Sequence, residues 1–256
     1  MMLYQKLRWL LQMGVDETVS DTPVNRLVSK KKQEVHSPVS PSTNTIRTTT
    51  PTDTLVQSAV IKASAATDVN TLKEVVMTFD ASPLKKTAAH TVFARGNPTA
   101  DIMIIGDVPE TSDDLAGLPF TGEAGVLLKK MMDAIHINLE TQCYLTTLIP
   151  WRAPGGRKPT TAEIAHCLPF VKRHIELVNP KILILLGATA SGALLGIDSL
   201  SRARGIWHQY GSEKLSTPIP TMVTLTPIYL LKNPLHKKHA WEDLKRLQAR
   251  LDESNN

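Results

Sequence analysis

Residues 101–125 read DIMIIGDVPETSDDLAGLPFTGEAG. The run Ile102-Met103-Ile104-Ile105 is apolar and short, the signature of a parallel strand buried on both faces. It breaks at Gly106 into a polar turn with Pro109 and the acids Asp107, Glu110, Asp113 and Asp114. The turn closes on Leu118-Pro119-Phe120-Thr121-Gly122, and a helical pattern starts at Glu123. A strand that feeds a long loop and then a helix puts that loop at the carboxyl end of a sheet, where open α/β sheets hold their ligands. An acid-rich loop with one aromatic held between Pro119 and Gly122 is more than a connector.

Working outward, three more β-rich runs follow: Tyr144–Ile149, Ile182–Leu186 and Met222–Leu225. They alternate with helical stretches at about Glu123–Ile137, Thr161–Val178, Thr189–Leu195 and His236–Asp252. Thr160 and Glu163 have capping-box spacing before the second of these. Such alternation predicts an α/β fold, a three-layer α/β/α sandwich around a central four-stranded, mostly parallel sheet.

The rest of the chain looks different. Leu3, Leu7, Leu10, Leu11 and Met13 recur at helical spacing, so residues 1–15 are expected to form an N-terminal helix. Residues 16–54 read as a disordered linker, because between His36 and Thr54 Ser, Thr or Pro fills 13 of 19 positions. That composition cannot bury enough apolar surface to offset ordering entropy. Residues 55–90 form a helical lead-in, with Asp68 or Asn70 as a cap for Thr71–Thr78, and 91–256 form the main domain. The net charge of +5 in 256 residues fits a polyanionic partner without demanding one. Two cysteines and no secretory leader suggest a reducing, cytoplasmic setting. No apolar run approaches the ~20 residues of a membrane span, and a monomer is expected.

The segment Gly106-Asp107-Val108-Pro109, Asp113-Asp114 and Gly117–Gly125 resembles the first motif of family 4 uracil-DNA glycosylases, roughly G-E-A-P-G-x-x-E-D-x-x-G-x-P-F-V-G-x-A-G. Thr224–Lys232, TLTPIYLLK, resembles their second motif, T-x-H-P-A-Y-L-L-R. Trp151–Pro159 resembles their loop C-R-P-P-x-N-R-x-P, and the likeness covers about the last two-thirds of the chain.

The resemblance implies a site on uracil-containing DNA. Phe120 would stack on an extruded base, with Gly122, Thr147 and Pro227 around it. Asp107 and Asp113 match two family glutamates and would position water or stabilise a sugar cation. Thr226 stands where the family has a histidine that donates to the base carbonyl, and Thr147 where it has an asparagine. Arg152, Arg157, Lys158 and Lys232 would contact phosphate, and Leu230 and Leu231 would enter the DNA. Glu110 replaces a glycine and brings bulk and negative charge. Asp114 reads as a turn acid, and His236 and His239 as solvent-facing.

Family cysteines that bind an iron–sulfur cluster correspond here to Phe79, Ser82, Trp151 and Cys167. One thiol remains of four, so no cluster and no other cofactor is expected. The resemblance leaves two functions: a glycosylase that hydrolyses the N-glycosidic bond of uracil in DNA, with activity reduced by its threonines, or a catalytically inactive DNA-binding descendant of the same fold. A small-molecule hydrolase or protein-interaction module on this fold has no feature in its favour.

Overall fold

The computed structural model describes residues 51–80, 82–197 and 199–254. The expected N-terminal helix, and the linker up to residue 50, lie outside the described residues. Two helices, α1 (Pro51–Ala65) and α2 (Val69–Thr78), lead in. Helix α1 thus starts four residues inside the expected linker, at a proline whose fixed φ suits a first helical position. Asp68 caps α2, its carboxylate accepting the Thr71 N–H at 2.9 Å.

Then come β1 (Ala94–Gly96), β2 (Ile102–Gly106), α3 (Thr111–Ala116), α4 (Gly122–Asp133), β3 (Cys143–Thr147), α5 (Thr161–Val178) and β4 (Ile182–Leu186). The chain continues through α6 (Ala188–Leu195), α7 (Leu200–Ala203), β5 (Trp207–Tyr210), β6 (Ile219–Thr224), α8 (Pro227–Lys232) and α9 (Lys237–Ser254).

The sheet has six strands in the order β1-β3-β2-β4-β6-β5. The central four are the expected parallel strands; β1 and β5 add antiparallel edges. Both faces are covered because alternate residues of each strand point opposite ways. Met103, Ile105, Leu183, Leu185 and Val223 join Phe170, Val171 and Ile175 of α5 in one core. Ile102, Ile104, Leu145 and Ile184 join Leu128 and Met132 of α4 and Leu244 and Leu247 of α9 in the other.

Helix α5 begins with the expected capping box: the Thr160 N–H donates to Glu163 at 2.8 Å and the Glu163 N–H returns to the Thr160 hydroxyl at 3.2 Å. Helix α9 is pinned by Asp243, which is 1 % exposed. Its carboxylate accepts from Arg204 at 2.7 and 3.2 Å and from the Thr224 hydroxyl at 2.6 Å. The last helix is therefore tied to the final residue of β6.

Candidate functional site at the carboxyl ends of the parallel strands

The ladder aligns four strand ends. Gly106 faces Thr147 on one side and Leu186 on the other, and Leu186 faces Thr224. At ~4.8 Å between strands, Thr147 and Thr224 lie roughly 14 Å apart. Everything that follows these residues, Asp107, Leu148, Gly187 and Thr226 included, emerges on one edge.

Phe120 lies over Gly106. A Cβ on Gly106 would come within 2.7 Å of Phe120 Cζ, so only glycine lets the ring sit there. Phe120 has φ of 55°, the left-handed region that costs a phenylalanine of order 1 kcal/mol or more. Asp113 holds it there: Oδ1 accepts the Thr121 N–H at 2.6 Å and the Thr121 hydroxyl at 2.7 Å, and Oδ2 accepts the Glu110 N–H at 3.0 Å. Asp113 is 3 % exposed, and both its oxygens are occupied by its own loop. Asp114 is likewise engaged, accepting the N–H groups of Ala89 and His90 at 2.9 and 3.2 Å. Gly122 opens α4 against Ser112.

Asp107 is different. Its Oδ1 accepts the Ala190 N–H at 2.7 Å in the first turn of α6, where helix amides favour an anion. The carboxylate fills the space a side chain on Gly187 would take: a Cβ there would be 2.2 Å from Oδ2. Burial pushes the carboxyl up to about 6, against the pull of the Ala190 and Thr189 hydrogen bonds and of nearby Lys158. This acid changes charge near neutrality, the property general acid–base and electrostatic roles need.

The hydroxyls are partly committed. Thr147 is buried and donates to the Ile149 carbonyl at 2.8 Å. Thr226 is half-buried and caps α8, accepting the Tyr229 N–H at 3.2 Å, which leaves its O–H free to donate. Pro227 is buried behind it.

Glu110 shows that the loops converge. Burial raises its carboxyl, Asp113 adds to that, and Lys232 and Arg152 draw it back down. The first loop, the basic loop after β3 and the turn after β6 are therefore within electrostatic reach of one another, with Lys158 close to Asp107.

Residues 93–245 match the family model of the uracil DNA glycosylase superfamily. The chain belongs to that superfamily. It is 32 % identical over 176 residues to the type-4 uracil-DNA glycosylase of Saccharolobus solfataricus, covering 66 % of this chain and 79 % of that one. It is 32 % identical over 155 residues to the type-4 uracil-DNA glycosylase of Thermotoga maritima, covering 60 % and 78 %. It also matches part of a DNA polymerase of Bacillus phage SP01, 26 % identical over 184 residues, 72 % of this chain and 18 % of that one. The superfamily and the observed α/β fold therefore agree, and the resemblance is to the type-4 branch.

Within this glycosylase-superfamily domain, one expected DNA contact is corrected. Leu230 is 1 % exposed and packs in the core with Phe120 and Leu225, so it cannot reach a duplex; Leu231 is half-buried. Arg157 is clamped on Glu163 by two bonds of 2.9 and 2.6 Å, and this pair holds the Glu163 carboxyl down at about 2. Its guanidinium braces the start of α5 while remaining partly open. Lys158 and Lys232 are exposed and Arg152 is half-buried.

The sequence reading missed Leu235. It is 86 % exposed in the turn Pro234–His236, between Lys232 on one side and Lys237 and Lys238 on the other. The signal was a lone leucine between a proline and three cations or histidines in NPLHKK.

The cluster positions do not fit an iron–sulfur group. Phe79 and Trp151 stack at 6.5 Å, Ser82 is buried with an unpartnered Oγ, and Cys167 is buried with its thiol pushed well up by desolvation. One thiol cannot supply a four-thiolate set.

Proposed function

We propose that this protein is a DNA glycosylase that hydrolyses the N-glycosidic bond of uracil in DNA. The observation that carries the reading is the placement of Asp107 just after β2, its charge poised near neutrality, beside a strained Phe120 and within electrostatic reach of Lys158.

The target nucleotide leaves the stack and enters the strand-end site. Phe120 offers its face to the base, a contact worth roughly 1–3 kcal/mol. Lys158, Lys232 and Arg152 hold phosphates without reading sequence. The exposed Leu235 fills the gap left in the duplex, as apolar side chains do between base steps. As the C1′–N1 bond breaks, its electron pair goes to the base and positive charge grows on the sugar. Asp107 in its ionised form faces that charge or orients the water that adds to C1′. The Thr226 hydroxyl donates to the base carbonyl. It is a shorter donor than imidazole, and losing one such donor costs ~10²–10³ in rate, so turnover is slow.

The second reading, a descendant that binds without turnover, is favoured by the engagement of the Thr147 hydroxyl with Ile149 and of Thr226 with its own helix. Incubation with a uracil-containing oligonucleotide, followed by alkaline cleavage, separates the two. Abasic sites formed by the wild type and lost in Asp107→Asn support the glycosylase. Salt-sensitive binding without abasic sites, at enzyme concentrations above the binding midpoint, supports the descendant.

A further inference from the structure

Three of the four positions that the resemblance assigns to cluster ligands, Phe79, Trp151 and Cys167, belong here to one buried apolar cluster, and the fourth, Ser82, is buried. The Phe79 ring stacks on Trp151 at 6.5 Å and 20° and meets the edge of Phe170 at 4.9 Å and 70°. Cys167 lies one helical turn before Phe170 on the buried face of α5, and Ser82 is 1 % exposed. The Trp151 indole N–H donates to the Thr91 hydroxyl at 3.0 Å, and Lys62 of α1 lies 5.4 Å above the Phe79 ring. The knot thus joins α1, the end of α2, the segment before β1, the loop after β3 and α5. Trp151 is also the residue directly before Arg152, the first cation of the basic loop.

We infer that this aromatic knot, Phe79–Trp151–Phe170, takes over the stapling that a metal cluster would perform, so that the basic loop Arg152–Lys158 is held in place without metal. Large aromatics bury enough surface to tie several segments, and edge and stacked ring pairs add geometric preference. A cluster staple is lost on chelation or oxidation; a ring staple is not. The inference concerns the scaffold and stands whether or not the chain releases uracil.

The test uses the full chain. Wild type is purified anaerobically and incubated with ferrous iron and sulfide, and iron, labile sulfide and visible absorbance are measured. Iron at the level of a cluster-free control protein is expected, with melting temperature and DNA affinity unchanged by chelator or ferricyanide. Stoichiometric iron and sulfide would overturn the inference. Phe79→Cys, Ser82→Cys and Trp151→Cys together with Cys167 restore four thiols. That variant should take up about two to four irons per chain with cluster absorbance. A folded triple variant that takes up none would show that the knot does not occupy a cluster's seat.

Trp151→Ala guards against a triple variant that does not fold. It should lower the melting temperature by roughly 10 °C and weaken DNA binding about tenfold, with Trp151→Phe restoring most of both. A Trp151→Ala protein that melts and binds like wild type overturns the inference.

Discussion

Asp113 grips Thr121 twice through one carboxylate oxygen, at 2.6 Å to its N–H and 2.7 Å to its hydroxyl, and so fixes the backbone of Phe120 at a φ of 55°. The acid acts on the aromatic through the loop between them. Asp113→Ala frees that loop and removes charge-assisted hydrogen bonds worth about 1.5–3 kcal/mol each. We expect a stability loss of a few kcal/mol in chemical denaturation and a rise in KM for uracil-DNA. A loss confined to kcat, with stability and KM intact, would place Asp113 against the substrate instead.

The role proposed for Asp107 opposes stability. Its folded carboxyl titrates at about 6, above the ordinary 3.8 of a free aspartate. A raised carboxyl favours the folded state below that range and disfavours it once ionised, so its contribution to stability falls as pH rises from 3.8 through about 6. Asp107→Asn keeps an acceptor for Ala190 and removes the charge. It should abolish base release yet stabilise the fold by about 1–2 kcal/mol at pH 7, discounted for the carboxylate's partial exposure. Wild-type activity should rise with pH through about 6. A destabilised Asp107→Asn protein, or a flat pH profile there, contradicts this account.

Thr226→His should raise single-turnover base release by ~10²-fold, because it restores a longer donor. It also removes the cap of α8, at a cost of about 0.5–2 kcal/mol in stability. Single-turnover assays and thermal melts on the same preparation read both effects. A stable variant without a rate gain would mean that the threonine position does not face the base.

Two leucines five residues apart should behave oppositely. Leu230→Ala removes a core side chain and should cost about 2–5 kcal/mol. Leu235→Ala, on an 86 % exposed residue, should change stability by less than ~0.5 kcal/mol while lowering activity on duplex more than on single strands. Equal activity losses on both substrates would remove Leu235 from the duplex gap.

The exposed cations should show in the salt dependence. Lys158→Ala and Lys232→Ala should each reduce the slope of log K against log salt by about one. Arg157→Ala should act mainly on stability, since its guanidinium is bound to Glu163. Titrations of a fluorescent oligonucleotide at several salt concentrations decide this.

The four parallel strands were legible because a buried strand between two helical layers must be apolar at nearly every position, as Ile182–Leu186 is. The edges β1 and β5 were not. Ala94–Gly96 has no alternation to read, and its pairing with β3 depends on residues about 50 positions away. The site was legible as a set of letters but not as a set of roles. A carboxylate in a loop looks the same whether it holds its own backbone, as Asp113 does, or fills the space beside a glycine, as Asp107 does. In the same way, TPIYLLKNPL presents three leucines as equals. Only the short turn of α8 decides that Leu230 points inward and Leu235 outward.

The floor beneath Asp107 constrains how this enzyme can be engineered. Its carboxylate already occupies the space a β-carbon at position 187 would need, so that position has to stay glycine for as long as the acid keeps its place. Any redesign that gives position 187 a side chain has to move the acid in the same step.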